Sequence, residues 1–180
     1  MAEELALSAE MHVVLMGRSK QKLQDVKAAL EKEAARRGLP PPTLWTEMYD
    51  ADDLSTIASG ADGVTQLAKD KYDGKCLVLV NNAGAVAPDY STSKQGADSM
   101  LARNFLAPHL LTTRLMPLLK AVARSGYKPR VVNVSSMGHA LGHDFCPVRY
   151  DLKLQASAPA ASRQHICHPA LNPTLRWTWV

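Results

Sequence analysis

Short apolar runs alternate along the chain with longer segments in which apolar residues recur every three or four positions. The runs are His12 to Met16, Thr43 to Met48, Cys76 to Val80 and Arg130 to Ser135. Runs of this length predict β-strands, and the longer periodicity between them predicts helices. Because strands and helices alternate, the pattern predicts an α/β fold with parallel strands joined by crossover helices.

Three segments are predicted to be helical, and their ends carry residues typical of helix termini. Ser19 is a good N-cap, and Gly126 is a good stop after a helix. Gly60 and Gly63 lower the helical propensity of the middle segment. The predicted helices run from Ser19 to the Arg36-Arg37-Gly38 stop, from Asp52 or Asp53 to about Tyr72, and from about Gly96 to Ser125.

The run from Cys76 to Val80 contains no alternation of apolar and polar residues. A strand of this kind is typical of the middle of a parallel sheet, where helices cover both faces. We therefore expect both faces of this strand to be buried.

The composition changes after Gly142. No glycine follows it, and residues 152 to 180 contain neither Asp nor Glu. Only Leu175 to Val180 has strand-like alternation in this part. We therefore expect one domain over residues 1–155 and a divergent, poorly ordered tail over residues 156–180.

The composition describes one globular domain, with 180 residues of which 46% are apolar and 21% charged. No apolar run approaches the ~20 residues that cross a bilayer, so we expect no membrane span. Three cysteines with wide spacing indicate a reducing, intracellular location, which we take to be the cytoplasm. The net charge of +4 is spread along the chain, so we expect no nucleic-acid partner.

The strongest local signal is Asn81-Asn82-Ala83-Gly84, directly after an apolar strand. Small residues at the carboxyl end of a strand let the backbone approach a ligand in the crevice of an α/β sheet. Together with Val131 to Ser136 at the end of the next strand, this motif resembles the short-chain dehydrogenase/reductase family. The resemblance covers residues 1 to about 155 and implies that this part is a partial dinucleotide-binding domain.

The resemblance implies a Rossmann-like, doubly wound parallel sheet and an oxidoreductase that interconverts small-molecule carbonyls and secondary alcohols. Ser136 would orient the substrate oxygen. Asn104, within Arg103 to His109, would hold a proton-relay water through a distortion of its helix. Asp50 would lie beside the adenine ring, and the cofactor would be faced by Asn82, Ala83 and Gly84.

The turn after the predicted strand at residues 12–16 indicates which nicotinamide cofactor is preferred. Folds selective for NAD place a carboxylate there, whereas NADP-selective ones place a basic side chain. This turn reads Gly17-Arg18-Ser19-Lys20 and contains no acid. Arg18 can bind a 2′-phosphate bidentately, so we expect Arg18 and Ser19 to bind the cofactor and NADP(H) to be favoured over NAD(H). The alternative is that these residues are only a polar helix start.

The first family feature that we expect to be missing is the first strand with its Thr-Gly-x-x-x-Gly-x-Gly turn. Glu4 to Glu10 resembles the end of the helix that follows that turn, so the chain looks truncated. In the family's strand order 3-2-1-4-5 the missing strand is central. We therefore expect the strands at residues 12–16 and 76–80 to lack a shared neighbour, unless Leu175 to Val180 or another chain takes that place.

We also expect the chain to contain no Tyr-x-x-x-Lys, the spacing of the family's catalytic pair. Tyr150 and Lys153 are three residues apart, and Tyr150 to Lys153 resembles the segment before the pair in retinol-dehydrogenase-like members. We therefore predict an oxidoreductase of the short-chain dehydrogenase/reductase type that is inactive as this isolated chain. A noncatalytic nucleotide-binding or scaffold protein and an incomplete gene product are the alternatives, and a homo-oligomer is left open.

Six histidine and cysteine side chains near the end of the chain are the usual soft metal ligands. Their spacing is irregular and contains no Cys-x-x-Cys, so we predict no metal site. These residues are His139, His143, Cys146, His165, Cys167 and His168.

Overall fold

The structure is a computed structural model that describes residues 1–9, 11–85 and 91–135. It confirms the predicted α/β class. Its elements are an N-terminal π-turn (Glu4–Ser8), β1 (Val13–Gly17), α1 (Lys20–Arg36), β2 (Leu44–Met48), α2 (Ser55–Tyr72), β3 (Val78–Asn81), α3 (Ser99–Leu101), a central π-turn (Ala102–Leu106), α4 (Ala107–Arg124) and β4 (Arg130–Asn133).

The strands form two parallel pairs. β1 pairs with β2, with Val13 opposite Leu44, and β3 pairs with β4, with Val78 opposite Arg130. Within the described ranges each pair is a separate two-stranded sheet. This confirms the expected partial Rossmann-like sheet, and among the described residues no strand lies between β1 and β3. The segment Leu175 to Val180, which could have filled that place, lies outside the described residues.

β1 is packed on both of its faces. Val13 and Leu15 contact a core formed by the N-terminal π-turn, α1 and β2, here called the α1 core. Val14 and Met16 contact a core formed by α2, α4 and β3, here called the α2–α4 core. Alternate side chains of a strand point to opposite faces, so one short strand serves both cores.

β3 and β4 are packed on one face. Leu79 and Val131 contact the α2–α4 core, whereas Val132 on β4 is 40% exposed. Within the Cys76 to Val80 run only Leu79 is buried, and Leu77 is 44% exposed. The expectation that the Cys76 to Val80 run is buried on both faces is therefore wrong for the described part of the chain. Apolar composition shows that a face can be buried, but a covering layer must also be present.

α2 lies close against β2, which explains its glycines. A Cβ atom on Gly60 would stand 2.7 Å from the carbonyl oxygen of Met48, and one on Gly63 would meet the Glu47 carboxylate. The helix nevertheless runs unbroken, and it starts at Ser55 rather than at Asp52 or Asp53. Asp53 instead accepts a hydrogen bond from the Ser55 hydroxyl at 2.5 Å.

The predicted long helix from Gly96 to Ser125 is wrong as a single element. It begins at Ser99, and the central π-turn separates α3 from α4. Its predicted end is confirmed, because α4 stops at Arg124 and Gly126 adopts a φ of +86°. The predicted cap of α1 is confirmed too, since the Ser19 hydroxyl accepts from the Lys22 N–H at 3.3 Å.

None of the helices in the described ranges combines the length and the apolar character that crossing a bilayer requires. The predicted tail from residue 156 and the predicted domain boundary at residue 155 both lie outside the described residues.

Candidate functional site

Parallel pairing places the carboxyl ends of neighbouring strands side by side. Gly17 at the end of β1 lies opposite Met48 at the end of β2, and the Tyr49 N–H donates to the Gly17 carbonyl at 3.1 Å. The loops that carry Arg18 and Asp50 therefore begin next to each other. This is the edge of an α/β sheet where ligands bind.

Asp50 lies at the start of a tightly bonded turn between β2 and α2. Its carboxylate accepts from the Asp52 N–H at 3.0 Å, and its own N–H donates to the Thr56 hydroxyl at 2.7 Å. Thr56 in turn donates to the carbonyl of Asp53 at 2.7 Å. The predicted adenine-side residue is thus held on a rigid turn.

Asp52 connects this turn to two arginines. Arg103 Nε donates to Asp52 Oδ1 at 2.6 Å, and Arg18 contributes a longer ion pair to Asp52 Oδ2 at 3.6 Å. The Arg18 side chain is 69% exposed. Arg18 thus follows β1 in the predicted turn, with most of its side chain open to solvent.

Asp53 is neutralised by a neighbouring loop. Lys94 Nζ lies 2.7 Å from Asp53 Oδ2, and the Gln95 side-chain amide donates to Asp53 Oδ1 at 3.0 Å. These bonds, with those from Ser55, hold the pKa of the Asp53 carboxyl well below its usual range. The loop before α3 is therefore fastened to the start of α2.

Asn104 lies in the central π-turn. The Ala107 N–H donates to the carbonyl of Ala102, five residues earlier, where an α-helix would bond four residues earlier. Ala102 and Ala107 are 0% and 1% exposed, while Asn104 and Phe105 face outward. The backbone distortion that the resemblance implies at Asn104 is present in the form of this turn.

The Asn104 carboxamide bonds the backbone of the loop after β3 at both ends. It donates to the Ala85 carbonyl at 3.0 Å and accepts from the Ala85 N–H at 2.9 Å. A Cβ atom on Gly84 would lie 3.3 Å from Asn104 Oδ1. Asn82, Ala83 and Gly84 are exposed, so their backbone groups line an open surface beside Asn104.

A second side-chain network joins β3 to β4 at their carboxyl ends. The Asn81 amide donates to Asn133 Oδ1 at 2.8 Å and to the Thr112 hydroxyl of α4 at 3.0 Å. The end of β4 is thereby fixed next to the Asn81-Asn82-Ala83-Gly84 motif. Ser136, the predicted catalytic serine, follows this end and lies outside the described residues.

The expectation that the chain contains no Tyr-x-x-x-Lys is wrong, because Tyr90 and Lys94 have that spacing. Tyr90 lies outside the described residues, as do Tyr150 and Lys153. Lys94 lies in a turn rather than on a helix, and its ammonium group pairs with Asp53. Spacing alone does not make the family's pair, which requires both side chains on one helix face.

Sequence reasoning placed Arg18, Asp50 and Asn104 at this edge but missed their connections. Neither Asp52 nor Arg103 was predicted to be a site residue, although the sequence does show a charged residue directly before Asn104. Contacts between residues 51 apart in the chain depend on tertiary structure, and no local pattern contains them. The six candidate metal ligands of the C-terminal part all lie outside the described residues.

A family model described as short chain dehydrogenase matches residues 1–148. A short-chain dehydrogenase/reductase of Pestalotiopsis fici is 34% identical over 121 residues, which is 66% of this chain and 35% of that protein. Retinol dehydrogenase 13 of Mus musculus is 32% identical over 113 residues, 62% of this chain and 31% of its own. The matched part thus covers only about a third of the length of these relatives, and the retinol-dehydrogenase-like resemblance is confirmed.

Solved structures agree with this match. A metagenomic short-chain oxidoreductase in complex with NADP superposes with a TM-score of 0.55 and 29% identity, over 75% of this chain and 55% of that one. An NADPH-bound carbonyl reductase from chicken fatty liver gives a TM-score of 0.51 and 25% identity, over 70% of this chain and 48% of that one. The likeness therefore extends to fold and sequence together.

Proposed function

Because the chain belongs to the short-chain dehydrogenase family, we propose that it carries the cofactor-facing part of an NADP(H)-dependent oxidoreductase acting on small-molecule carbonyls and secondary alcohols. The observation that carries the proposal is the Asn104 carboxamide in a π-turn, bonded at both ends to Ala85 beside an exposed Asn82-Ala83-Gly84 surface. When bound, the nicotinamide supplies or accepts the hydride. We further propose a cytoplasmic location.

The residues at the carboxyl ends of β1 and β2 fit the adenosine end of such a cofactor. Arg18 offers an exposed guanidinium fork, which suits a phosphate. Ser19 uses its oxygen as an acceptor in capping α1, so its hydroxyl proton is left to donate. Asp50 would accept from the adenine amino group, and the backbone of Asn82 to Gly84 would lie along the rest of the ligand.

Asn104 and Ser136 would act on the substrate side. Asn104 sits where a helix is opened by one residue, which leaves backbone carbonyls available to hold a water. Ser136 would donate to the substrate oxygen. Neither side chain titrates near neutral pH, so both would orient groups rather than transfer the proton.

We propose that this chain by itself does not turn over. The family moves its proton with a Tyr-Lys pair after the serine, where this chain has Tyr150 and Lys153 at a spacing of three. Lys94, which follows Tyr90 by four residues, is engaged by Asp53. General acid–base catalysis by a positioned group is worth about 10²- to 10⁴-fold, so its loss would take activity below detection.

The first test is a fluorescence titration of the chain with NADPH and with NADH. We expect NADPH to bind more tightly, and Arg18→Ala to lower the affinity for NADPH and not for NADH. Arg114→Ala, at an exposed position on α4, is the matched control. An unchanged preference in Arg18→Ala would remove Arg18 from the cofactor site.

The second test is a panel of aldehydes, ketones and secondary alcohols with both cofactors. Binding without turnover is the expected result, and it also describes the alternative function, a noncatalytic nucleotide-binding or scaffold protein. Turnover that is abolished by both Tyr150→Phe and Lys153→Ala would identify the short pair as catalytic and contradict the proposal.

A further inference from the structure

Two arginines from distant parts of the chain converge on the Asp52 carboxylate. Arg103 belongs to the central π-turn and approaches Asp52 Oδ1 at 2.6 Å, while Arg18 follows β1 and lies 3.6 Å from Asp52 Oδ2. The side chains of Arg103 and Asp52 are 25% and 22% exposed, against 69% for Arg18.

These distances rank the two partners of Asp52. The contact between Arg103 and Asp52 is a short hydrogen bond that is partly shielded from water, and it raises the pKa of Arg103. The Arg18 contact is long and exposed, and such contacts contribute little. Asp52 therefore satisfies its charge mainly through Arg103, and Arg18 stays free to meet another anion.

The charges around Arg18 balance only while Arg103 is present. Asp50 and Asp52 supply two carboxylates, joined by the bond from the Asp52 N–H to Asp50 Oδ1. Arg18 and Arg103 supply two guanidinium groups. The neighbouring Asp53 carboxylate is offset by Lys94 and adds no net charge. Without Arg103 the cluster would carry a net negative charge, and Asp52 would draw Arg18 to itself.

We propose that Arg103 is a positioning residue for cofactor selectivity: by neutralising Asp52 it keeps Arg18 available for a 2′-phosphate. The inference rests on the proposed function, because it refines how the same site distinguishes NADP(H) from NAD(H). Arg103 touches neither cofactor nor substrate in this role. It acts through Asp52 on Arg18.

The experiment measures the ratio of NADPH to NADH affinity by fluorescence. Adenosine 2′,5′-bisphosphate against adenosine 5′-phosphate by calorimetry provides a second pair of probes. Arg103→Gln should lower the ratio by about fivefold, the size expected of one charge acting across a few ångströms near a surface. Asp52→Asn should raise the ratio, and the double variant should return it towards the wild-type value. Arg103→Lys should restore part of the preference.

Arg114→Gln and Asp62→Asn change the charge by the same amount at exposed positions on α4 and α2, and they should leave the ratio unchanged. Equal weakening of both ligands in Arg103→Gln would indicate a structural role and overturn the inference. If Arg103→Gln fails to fold by circular dichroism, Asp52→Asn decides alone, because its expected effect has the opposite sign.

The outcomes separate this inference from the proposed function. A wild-type chain without preference, whose ratio still shifts in opposite directions in the two variants, would contradict the NADP(H) proposal and support this one. A wild-type preference for NADPH that neither variant alters would support the NADP(H) proposal and contradict this inference. No binding of any of the four ligands would overturn both.

Discussion

The two strand pairs of the molecule are built alike but packed differently. In the β1–β2 pair, β1 places alternate side chains into the α1 core and the α2–α4 core. In the β3–β4 pair, Leu79 and Val131 enter the α2–α4 core, while Val132 on the other face is 40% exposed. Both pairs are parallel, and both supply residues to the candidate site.

The packing layers around a strand, rather than its sequence, decide how much each residue contributes to the free energy of unfolding. Val14 and Val132 are the same amino acid in parallel strands, yet Val14 is half-buried against a core and Val132 faces water. The free energy gained from an apolar side chain scales with the area that it removes from water. The two pairs should therefore respond differently to the same substitutions.

The largest effect is expected where the two pairs share a core. Ile57 and Leu115 are each 1% exposed in the α2–α4 core. Ile57→Ala or Leu115→Ala should lower the free energy of unfolding by about 2–5 kcal/mol, because each leaves a cavity. Denaturant unfolding followed by circular dichroism measures this, and the exposed Leu110 on α4 gives the control Leu110→Ala. A loss below that of the control would show that the shared core is not formed.

A smaller effect is expected where α2 approaches β2. A Cβ atom on Gly60 would lie 2.7 Å from the Met48 carbonyl, so Gly60→Ala should cost about 1–3 kcal/mol by overpacking. Gly17→Ala is the control, because its Cβ would meet Leu23 at an ordinary 3.5 Å. Equal stabilities of the two variants, by the same denaturant method, would refute the close approach.

Acid should lower the stability of the protein through two carboxyl groups whose pKa values are lowered in the folded state, one on α1 and one just before α2. Hydrogen bonds from Arg36 and Arg37 lower the pKa of Glu33 from 4.5 to about 2, and Lys94 lowers that of Asp53 below its usual 3.8. A lowered pKa in the folded state stabilises the protein above the unfolded pKa, and this stabilisation is lost as pH falls through the folded pKa.

Glu33→Gln and Asp53→Asn should therefore reduce the melting temperature at pH 7, with smaller differences from wild type below about pH 4. Glu31→Gln, at an exposed position of α1, is the control. A difference that stays constant from pH 7 to pH 2 would show that the lost contribution is not the ion pair.

The smallest effect tests the open face directly. Val132→Thr should change the free energy of unfolding by less than about 0.5 kcal/mol, because the side chain already meets water. Val131→Thr, one residue earlier on the core face, should cost more because it places a hydroxyl against the α2–α4 core. Equal costs at the two positions would mean that something covers both faces of β4.

The sequence predicted what depends on local pattern. The four strands, the Ser19 cap and the Gly126 stop all follow from apolar runs and terminal residues within one segment. The burial of the Cys76 to Val80 run was predicted wrongly because it depends on elements elsewhere in the chain. The π-turn at Asn104 adds one residue to a helical turn. A helix prediction that assumes a constant period of 3.6 residues does not include such an insertion.

The candidate site divides in the same way. Arg18, Asp50 and Asn82 to Gly84 could be placed from sequence, because residues that follow parallel strands meet at one edge. The Asp52–Arg103 and Asp53–Lys94 pairs could not, because each joins segments more than 40 residues apart. These charged pairs can be identified only once the fold has brought the two partners together.

The central π-turn also sets the phase of the helices on either side of it. In an α-helix each residue advances about 100° around the axis, so positions five apart would face different directions. Ala102 and Ala107 are five apart and both buried, which is possible because the turn absorbs one extra residue. Helical wheels drawn for α3 and α4 therefore do not share one origin. The buried stripe restarts at Ala107, and Asn104 occupies the step between the two stripes.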